Sequence, residues 1–328
     1  MTPRKKPLGA VTSALLLLSL LGCPIPQGDG SADQGRSKDP RRELFVIHSL
    51  AETLSSVELG SDGELRGVSS DLQYLGAVPN HIVRHREELL VTLSGENRVV
   101  RLRESTLGVI GSIDQGVGTN PMASTPLFPT ADADDPGAPL VATTHLLAAR
   151  VGVHDPTGGA WSVTPPWEFG VGPAPQPLLV LSEAPGDPVR LIVGNTNFST
   201  DGGNASPFGP ASLSLLTFKT GSQGSAASLE QTVAETIDLE QSGSTGATPS
   251  GLNPTALLDA AAVGEGQLLV IGSGTNYGSD GRGADDGRLI VLDRESLAIV
   301  GRYEVGGSPG SAVLLEVDGG HRLYMAGP

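Results

Sequence analysis

The sequence lacks several features that mark common classes of protein. It has one cysteine in 328 residues, which excludes an intramolecular disulfide. Aromatic residues make up only 4% of the chain, which argues against a broad aromatic platform for carbohydrates. Basic residues are also scarce, with 21 lysines and arginines against 36 acidic residues and a formal net charge of −15. Because an acidic surface repels phosphate groups, the composition disfavours nucleic-acid binding and electrostatic docking on anionic lipid.

The single cysteine, Cys23, follows a short apolar run near the beginning of the chain. Residues 4–6 are basic, and residues 8–21 form a largely apolar run of 14 residues. A run of this length is too short to span a membrane, which takes about 20 residues. The charged start, the short apolar run and the small residue before Cys23 predict a secretory signal peptide over residues 1–22.

The end of this run resembles the lipobox of bacterial lipoproteins, with Leu20, Leu21 and Gly22 preceding Cys23. The resemblance implies that the Cys23 thiol carries diacylglycerol, that the chain is cut before Cys23, and that the new amine is acylated, commonly with palmitate. Each buried methylene contributes about 0.8 kcal/mol to membrane binding, so several acyl chains form a firm anchor. The implied location is the cell envelope, by default the outer membrane. An ordinary signal peptide with an incidental cysteine is the alternative.

Composition divides the chain into three segments. Residues 1–22 are the predicted signal peptide, residues 23–42 the lipidated tether, and residues 43–328 the folded domain. Residues 27–42 lack large apolar side chains and any periodicity, so they predict a flexible segment. Loss of residues 1–22, which carry three basic and no acidic residues, would change the formal net charge from −15 to −18.

Short apolar runs separated by glycine and proline predict an all-β domain. The chain has 45 glycines and 25 prolines, which are scattered throughout rather than clustered. They separate strand-like runs such as ELFVI at residues 43–47, ELLVTL at 88–93 and RLIVLD at 288–293. Residues 255–263 (TALLDAAAV) have helical propensity, but the surrounding repeat predicts a strand there.

A Gly-x-x-Pro turn recurs along the chain, and a Leu-rich strand follows each copy. Residues 99–121 also parallel residues 289–309 in the order strand, turn with Arg-Glu-Ser, strand, Gly/Pro turn. Repetition of such a unit is typical of a four-stranded propeller blade, with a β-sandwich as the alternative. The turns lie at residues 76–79, 118–121, 172–175, 251–254 and 306–309.

These residues resemble the YVTN-type β-propeller repeat over roughly residues 43–328. The resemblance implies an all-β propeller of five to seven four-stranded blades, in which the strand after each Gly-x-x-Pro turn lines the central channel. Residues 310–317 would then pair with residues 43–47 and close a five-blade ring without a long open edge. Residues 322–328 repeat the pattern of residues 43–47 and form a surplus strand. The alternative is a ring that is incomplete at the C-terminus.

Two loops carry the candidate binding residues. Residues 194–211 and 272–287 share a Thr-Asn-aromatic sequence followed by Asp-Gly, and both are expected between the second and third strands of successive blades. Their amide and carboxylate oxygens are the ligands that Ca²⁺ takes, although the spacing does not match an EF-hand. Solvated turns or a partner-binding surface are the alternatives. The candidate residues are Asn197, Asp201, Asn204, Asn276, Asp280, Asp285 and Asp286.

Catalytic patterns are sparse. GGSPG at residues 306–310 matches Gly-x-Ser-x-Gly around Ser308, but a nucleophile elbow needs a helix after the serine and the following residues are strand-like. His81 and His85, four residues apart, are a weak candidate for a two-histidine metal site. The sequence therefore predicts no catalytic residue and no cofactor beyond Ca²⁺. It favours a lipid-anchored scaffold that binds a protein or envelope component. The alternatives are a propeller enzyme similar to lactonases or dehydrogenases, and a structural module stabilised by Ca²⁺.

Overall fold

The structure is a computed structural model, and it is built almost entirely of β-strands. It describes residues 16–21, 42–68, 73–127, 140–154, 167–181, 188–196, 211–219, 230–239, 252–260, 266–274, 287–317 and 320–326. Within these ranges one short 3-10 helix occurs, at Ser94–Glu96, and no helix is long and apolar enough to cross a membrane.

The described strands form five four-stranded antiparallel sheets arranged as a five-blade β-propeller, which confirms the predicted fold class. The strands of each blade follow one another in sequence. The first blade contains β1 (Leu16–Leu21), β2 (Arg42–His48), β3 (Thr53–Leu59) and β4 (Leu65–Val68), and the short β5 (Gln73–Tyr74) also pairs with β3. The second blade contains β6 (Pro79–His85), β7 (Glu88–Leu93), β8 (Arg98–Arg103) and β9 (Val109–Asp114).

The other three blades repeat this order, and a two-stranded sheet follows them. The third blade contains β10 (Pro121–Pro126), β11 (Val141–His145), β12 (Arg150–His154) and β13 (Trp167–Gly170). The fourth contains β14 (Pro175–Leu181), β15 (Val189–Asn195), β16 (Ser212–Lys219) and β17 (Glu230–Asp238). The fifth contains β18 (Leu252–Asp259), β19 (Gln267–Gly274), β20 (Arg288–Asp293) and β21 (Ile299–Glu304). The two-stranded sheet consists of β22 (Ser311–Val317) and β23 (Gly320–Ala326).

Each Gly-x-x-Pro turn leads into the first strand of a sheet, and these first strands lie innermost and contact one another around the ring. The pairing register shifts just after the proline, for example between Pro79 and His81 and between Pro254 and Ala256. Proline has no N–H to donate to the ladder, so it is tolerated at the first residue of a strand and at a bulge. The predicted role of the turn is therefore confirmed.

The hydrophobic core lies between the blades because both faces of each sheet are covered. Ile192 of the fourth blade and Leu268 of the fifth are fully buried in one cluster. Leu89 of the second blade packs in the same way with Ile47 of the first. Sheets covered on both faces read as continuous apolar runs, which explains sequences such as ELLVTL and RLIVLD. The strands predicted from these runs are confirmed, as is a strand rather than a helix in the described part of residues 255–263.

The ring closes differently from the expected arrangement. β1, which comes from the predicted signal peptide, pairs along β2 from Leu16 opposite His48 to Leu21 opposite Glu43. β22 pairs with β23 instead of β2, because β1 occupies that edge of β2. The surplus strand expected at residues 322–328 is β23. The two-stranded sheet packs between the fifth and first blades through clusters on both of its faces.

Candidate functional site

One end of the propeller, called the turn face below, carries the connections between blades together with the connections between second and third strands. The amide of Ser94 donates to the carbonyl oxygen of Val78 at 3.0 Å, and the amide of Leu146 donates to that of Asn120 at 3.1 Å. Each of these backbone bonds joins a connection between two blades to the connection between the second and third strands of the blade that follows it. The described part of the turn face comprises residues 49–52, 75–78, 94–97, 115–120, 146–149, 171–174 and 305–310.

Three of these turns place an ordinary side chain in the left-handed region of backbone conformation. The residue before the proline has φ 54° at Val78, 48° at Asn120 and 51° at Ala174. This conformation costs an L-residue about 1–2 kcal/mol, although asparagine adopts it more easily than valine. The turns therefore hold some backbone strain where they meet the channel.

A cluster of neutral polar side chains lies where the inner strands of the fourth and fifth blades begin. We call Gln176, Thr196, Asn253 and Ser273 the channel-mouth cluster. The Nε2 of Gln176 donates to Asn253 Oδ1 at 2.7 Å and to Thr196 Oγ1 at 2.6 Å. Thr196 Oγ1 donates to Asn253 Oδ1 at 2.8 Å, and Asn253 Nδ2 donates to Ser273 Oγ at 3.1 Å. The network ties the two blades together.

Similar bonds connect the beginnings of other inner strands. Asn80 Nδ2 donates to Met122 Sδ at 3.2 Å, between the second and third blades. Thr255 Oγ1 donates to the carbonyl oxygen of Pro309 at 2.7 Å, between the fifth blade and β22. Amides, hydroxyls and a thioether can exchange hydrogen bonds with a neutral polar ligand or a peptide backbone. They carry no charge near neutral pH and cannot serve as a general base.

Aliphatic side chains on the turn face are exposed to solvent. Leu50 lies in the turn that leads to β3, and the amide of Leu75 donates to the carbonyl oxygen of Glu52 at 2.9 Å, so this turn adjoins residues 75–78. The exposed aliphatic residues therefore lie on connections that adjoin one another across three blades. Their exposed fractions are 69% for Leu50, 43% for Val78, 100% for Val117 and 65% for Leu147.

His81 lies on the inner strand β6, but its surroundings do not suit catalysis. The amide of Ser124 donates to His81 Nδ1 at 3.4 Å, while Ser124 Oγ accepts from Thr92 at 2.9 Å and lies 3.0 Å from the Thr143 hydroxyl. Burial lowers the pKa of His81 to about 4. The serine hydroxyl thus bonds to other hydroxyls rather than to the imidazole, unlike a nucleophile with its base.

His81 and His85, the weak two-histidine candidate, lie too far apart on one strand to share a metal ion. Both residues belong to β6, where four residues span about 13 Å at 3.3 Å each. Two ligands of one zinc ion each lie about 2 Å from it, so these rings are too far apart. Among the described residues, no group of three His, Cys, Asp or Glu side chains is placed to hold a metal ion.

Two further histidines are buried in the third blade. His145 is fully buried, and its Nε2 lies 3.0 Å from Gln115 Oε1. Burial, with a smaller contribution from Arg150, lowers the pKa of His145 to about 4. Burial also lowers the pKa of His154, at the end of β12, to about 4. Both rings are neutral parts of the core.

Two other polar residues near the channel have structural roles. Asp259, on the inner strand β18, accepts from Nε of Arg294 at 3.2 Å. Ser308 lies in the turn before β22, which is a strand, so the described residues around it do not form a nucleophile elbow.

The two candidate loops connect β15 to β16 and β19 to β20, the second and third strands of the fourth and fifth blades, as predicted. The described residues at which these loops begin, Thr196 and Ser273, lie at the turn face. The seven candidate calcium-binding residues Asn197, Asp201, Asn204, Asn276, Asp280, Asp285 and Asp286 lie outside the described residues, as do Gly22 and Cys23. Leu20 and Leu21 belong to β1.

The sequence did not predict the channel-mouth cluster. The sequence does contain a signal for this cluster, namely the position of polar residues next to the prolines of the repeat. Gln176 and Asn80 directly follow the proline of a Gly-x-x-Pro turn, and Asn253 directly precedes such a proline. Aligning the repeat on its prolines brings these polar residues together.

No family model and no curated protein matches the sequence. Several solved structures are similar at low identity. The hydrazine synthase of Kuenenia stuttgartiensis is 11% identical with a TM-score of 0.49, and the match covers 82% of this chain and 66% of that one, slightly less than two thirds. The periplasmic gluconolactonase PpgL of Pseudomonas aeruginosa is 16% identical with a TM-score of 0.46, over 89% of this chain and 72% of that one. BBS1N in complex with ARL6DN is 13% identical with a TM-score of 0.45, over 88% and 84% of the two chains. No activity, ligand or partner of this chain follows from these values.

Proposed function

We propose that this protein is an exported lipoprotein, anchored through acylated Cys23, whose propeller binds a protein or other envelope component without catalysing a reaction. The lipobox-like sequence at residues 20–23 supports the anchor, and outer membrane is the expected location in a cell with two membranes. The Gly-x-x-Pro repeat supports membership of the YVTN-type propellers. The turn face is the proposed binding surface.

The observation that carries this proposal is the combination of groups on the turn face. Four exposed aliphatic side chains lie on adjoining connections, beside a channel mouth lined by neutral hydrogen-bonding groups. Protein interfaces combine apolar contacts with hydrogen bonds and contain few charges at their centre. The predicted charge of −18 for the chain without its signal peptide favours a partner with a neutral or basic surface.

The described surroundings of the channel favour binding over catalysis. Asp259 is paired with Arg294, His81 has a lowered pKa of about 4, and the polar groups at the channel mouth are uncharged. A general base works best when its pKa lies near the operating pH. A propeller enzyme similar to lactonases or dehydrogenases is therefore the less favoured alternative.

The binding surface can be tested with charge substitutions in the full-length protein in its own cells. Leu147→Glu and Val117→Glu place a charge on the turn face, whereas Val109→Glu places one on the exposed outer strand β9. We expect in-cell cross-linking to recover a partner with the parent protein and with Val109→Glu, and to lose it with the turn-face variants. Equal recovery with all three variants would contradict the proposed surface.

A calcium-stabilised loop pair is the second candidate function. Thr196 and Ser273, both in the channel-mouth cluster, lie at the beginnings of the two acidic loops, so the loops leave from neighbouring positions. Thermal unfolding with millimolar Ca²⁺ and then with excess chelator tests this candidate. A ligand at about 100 times its Kd adds roughly 2.7 kcal/mol, which should raise the midpoint by several degrees. The rise should be lost in Asp201→Ala and Asp280→Ala, and an unchanged midpoint in the parent protein would rule the site out.

A further inference from the structure

The first blade takes its inner strand from a different kind of segment than the other blades do. β6, β10, β14 and β18 each follow a Gly-x-x-Pro turn, and so does β22 after the turn at residues 306–309. β1 follows no such turn and comes from the predicted signal peptide. The repeat therefore supplies five inner strands, and the described structure uses a sixth.

In the described structure six strands occupy the second position of a sheet. The repeat supplies only five inner strands with which they could pair. The six strands are β2, β7, β11, β15, β19 and β23. β2 and β23 share a sequence pattern, since Leu44-Phe45-Val46 corresponds to Leu323-Tyr324-Met325. β23 pairs with β22 through Leu323 opposite Leu314 and Met325 opposite Ala312. β2 presents equivalent side chains in the same order, so it is suited to the same edge of β22.

The two-stranded sheet leaves apolar surface exposed on the blades beside it. Val68 of β4 is 71% exposed, and it pairs with Val57, which packs against Val313 and Tyr324 of the two-stranded sheet. Val68 therefore lies on the side of the first blade that faces the two-stranded sheet, but beyond the outer edge of that sheet. Leu65 of β4 is also exposed, at 64%.

The fifth blade also has an exposed apolar residue on the side that faces the two-stranded sheet. Tyr303 of β21 is 58% exposed and lies opposite Leu289. Leu289 packs against Ala312 and Leu323, so this side of the fifth blade faces the two-stranded sheet. Third and fourth strands in that sheet would cover Tyr303 and Val68, and the described residues provide none there.

We propose that removal of residues 1–22 lets β2 replace β23 as the partner of β22, so that β22, β2, β3 and β4 form one complete blade. The new register places Leu44 opposite Leu314, Phe45 opposite Val313 and Val46 opposite Ala312. This inference rests on the proposed function, because cleavage before Cys23 is the event that removes β1. The ring then has five complete blades, each beginning after a Gly-x-x-Pro turn.

β23 contacts the first blade through polar and apolar groups. Arg322 forms an exposed ion pair with Glu64 at 2.6 Å, the Tyr324 hydroxyl donates to the Gly63 carbonyl oxygen, and the Tyr324 ring packs against the cluster that contains Leu44. Exposed ion pairs contribute little to stability. In the exchanged ring, the face of β4 that carries Leu65 and Val68 turns toward Tyr303 of the fifth blade. Cleavage thereby removes one strand and completes a sheet.

Engineered disulfides distinguish the two pairings. Ala312→Cys is combined either with Met325→Cys, which reports β22 on β23, or with Val46→Cys, which reports β22 on β2. Directly opposite residues of neighbouring strands have Cα atoms within the range of about 4.4–6.8 Å that a disulfide needs. Each pair is placed in the full chain with Cys23→Ser and in a chain of residues 24–328, both produced in the cytoplasm. After oxidation, peptide mapping by mass spectrometry measures the fraction bridged.

The expected result is a change of partner with chain length. The full chain should form the bridge between positions 312 and 325, and the shorter chain should form the bridge between 46 and 312. The bridge between 312 and 325 in both chains would overturn the proposal. A shorter chain that forms neither bridge, or that does not unfold cooperatively, would overturn it as well, because the ring is then not complete without β1.

The proposed function has a separate readout, the N-terminal residue of the protein isolated from its own cells. An uncleaved N-terminus would remove the proposed anchor while leaving the strand exchange of the shorter chain intact. A cleaved and acylated N-terminus together with unchanged pairing would remove only the strand exchange.

Discussion

At the scale of single residues, burial decides the protonation of the histidines in the third blade. His145 and His154 have pKa values of about 4, below the usual value of 6.5, and burial is the largest cause for each. The folded protein therefore keeps both rings neutral at pH values where the unfolded chain protonates them. This difference links the stability of the propeller to pH.

We expect the free energy of unfolding to fall as the pH decreases from about 6.5 to about 4. In that window the unfolded chain binds protons that the folded protein does not, and each such histidine contributes about 1.4 kcal/mol per pH unit. Urea unfolding at several pH values measures the slope. His145→Gln should reduce the slope by about one proton, whereas Thr92→Ser, at another fully buried polar position, should leave it unchanged. A slope that is the same in His145→Gln and the parent protein would contradict this account.

The channel-mouth cluster makes a second prediction at this scale. Asn253→Ala removes the acceptor of both Gln176 and Thr196, and leaving half-buried donors unpaired should cost about 1–3 kcal/mol. Urea unfolding of Asn253→Ala, Gln176→Ala and the double variant measures their coupling. Because the two side chains bond directly, the double variant should lose less than the two single losses combined. Strictly additive losses would show that the hydrogen bond does not contribute in solution.

At the scale of elements, the Gly-x-x-Pro turn is the repeated device of the fold. It places a proline at or near the beginning of β6, β10, β14, β18 and β22, and in the fourth and fifth blades it sets polar residues at the channel mouth. The strain at Val78, with φ 54°, shows that the backbone path of the turn is maintained against local preference.

Val78→Asn should therefore stabilise the protein by about 1 kcal/mol, because asparagine adopts the left-handed conformation more easily than valine. The chain already uses Asn120 at the equivalent position of the next turn, with φ 48°. The control is Val109→Asn on the exposed strand β9, which should be neutral or slightly destabilising because asparagine is a poor strand former. Chemical denaturation compares both with the parent protein. A destabilised Val78→Asn variant would mean that the valine side chain contributes more than the strain costs.

The strands and turns were predictable from sequence, because short apolar runs and the positions of prolines act locally. ELLVTL and RLIVLD form β7 and β20 with the predicted boundaries. The channel-mouth cluster was not predictable in this way, since Gln176 and Asn253 meet only when two blades pack side by side. The role of β1 was also missed, because residues 8–21 match both an export signal and a buried strand, and a short apolar run does not distinguish these uses.

At the scale of the whole molecule, β2 begins at the end of the propeller opposite the turn face. It starts at Arg42, and its seven residues extend about 20 Å to the connection at residues 49–52 on the turn face. If residues 23–42 form the predicted tether, their typical end-to-end distance is about 25 Å. A membrane anchor at Cys23 would thus leave the turn face directed away from the lipid and accessible to a partner.

The most direct test of this account is intact-mass and peptide analysis of the protein purified from the membranes of its own cells. The account predicts an N-terminus at Cys23 that carries diacylglycerol and an additional acyl chain. It also predicts that Cys23→Ser moves the protein out of the membrane fraction while its propeller still unfolds cooperatively. A protein that begins at another residue with Cys23 unmodified, or a Cys23→Ser variant that stays with the membrane, would contradict the lipid-anchored scaffold.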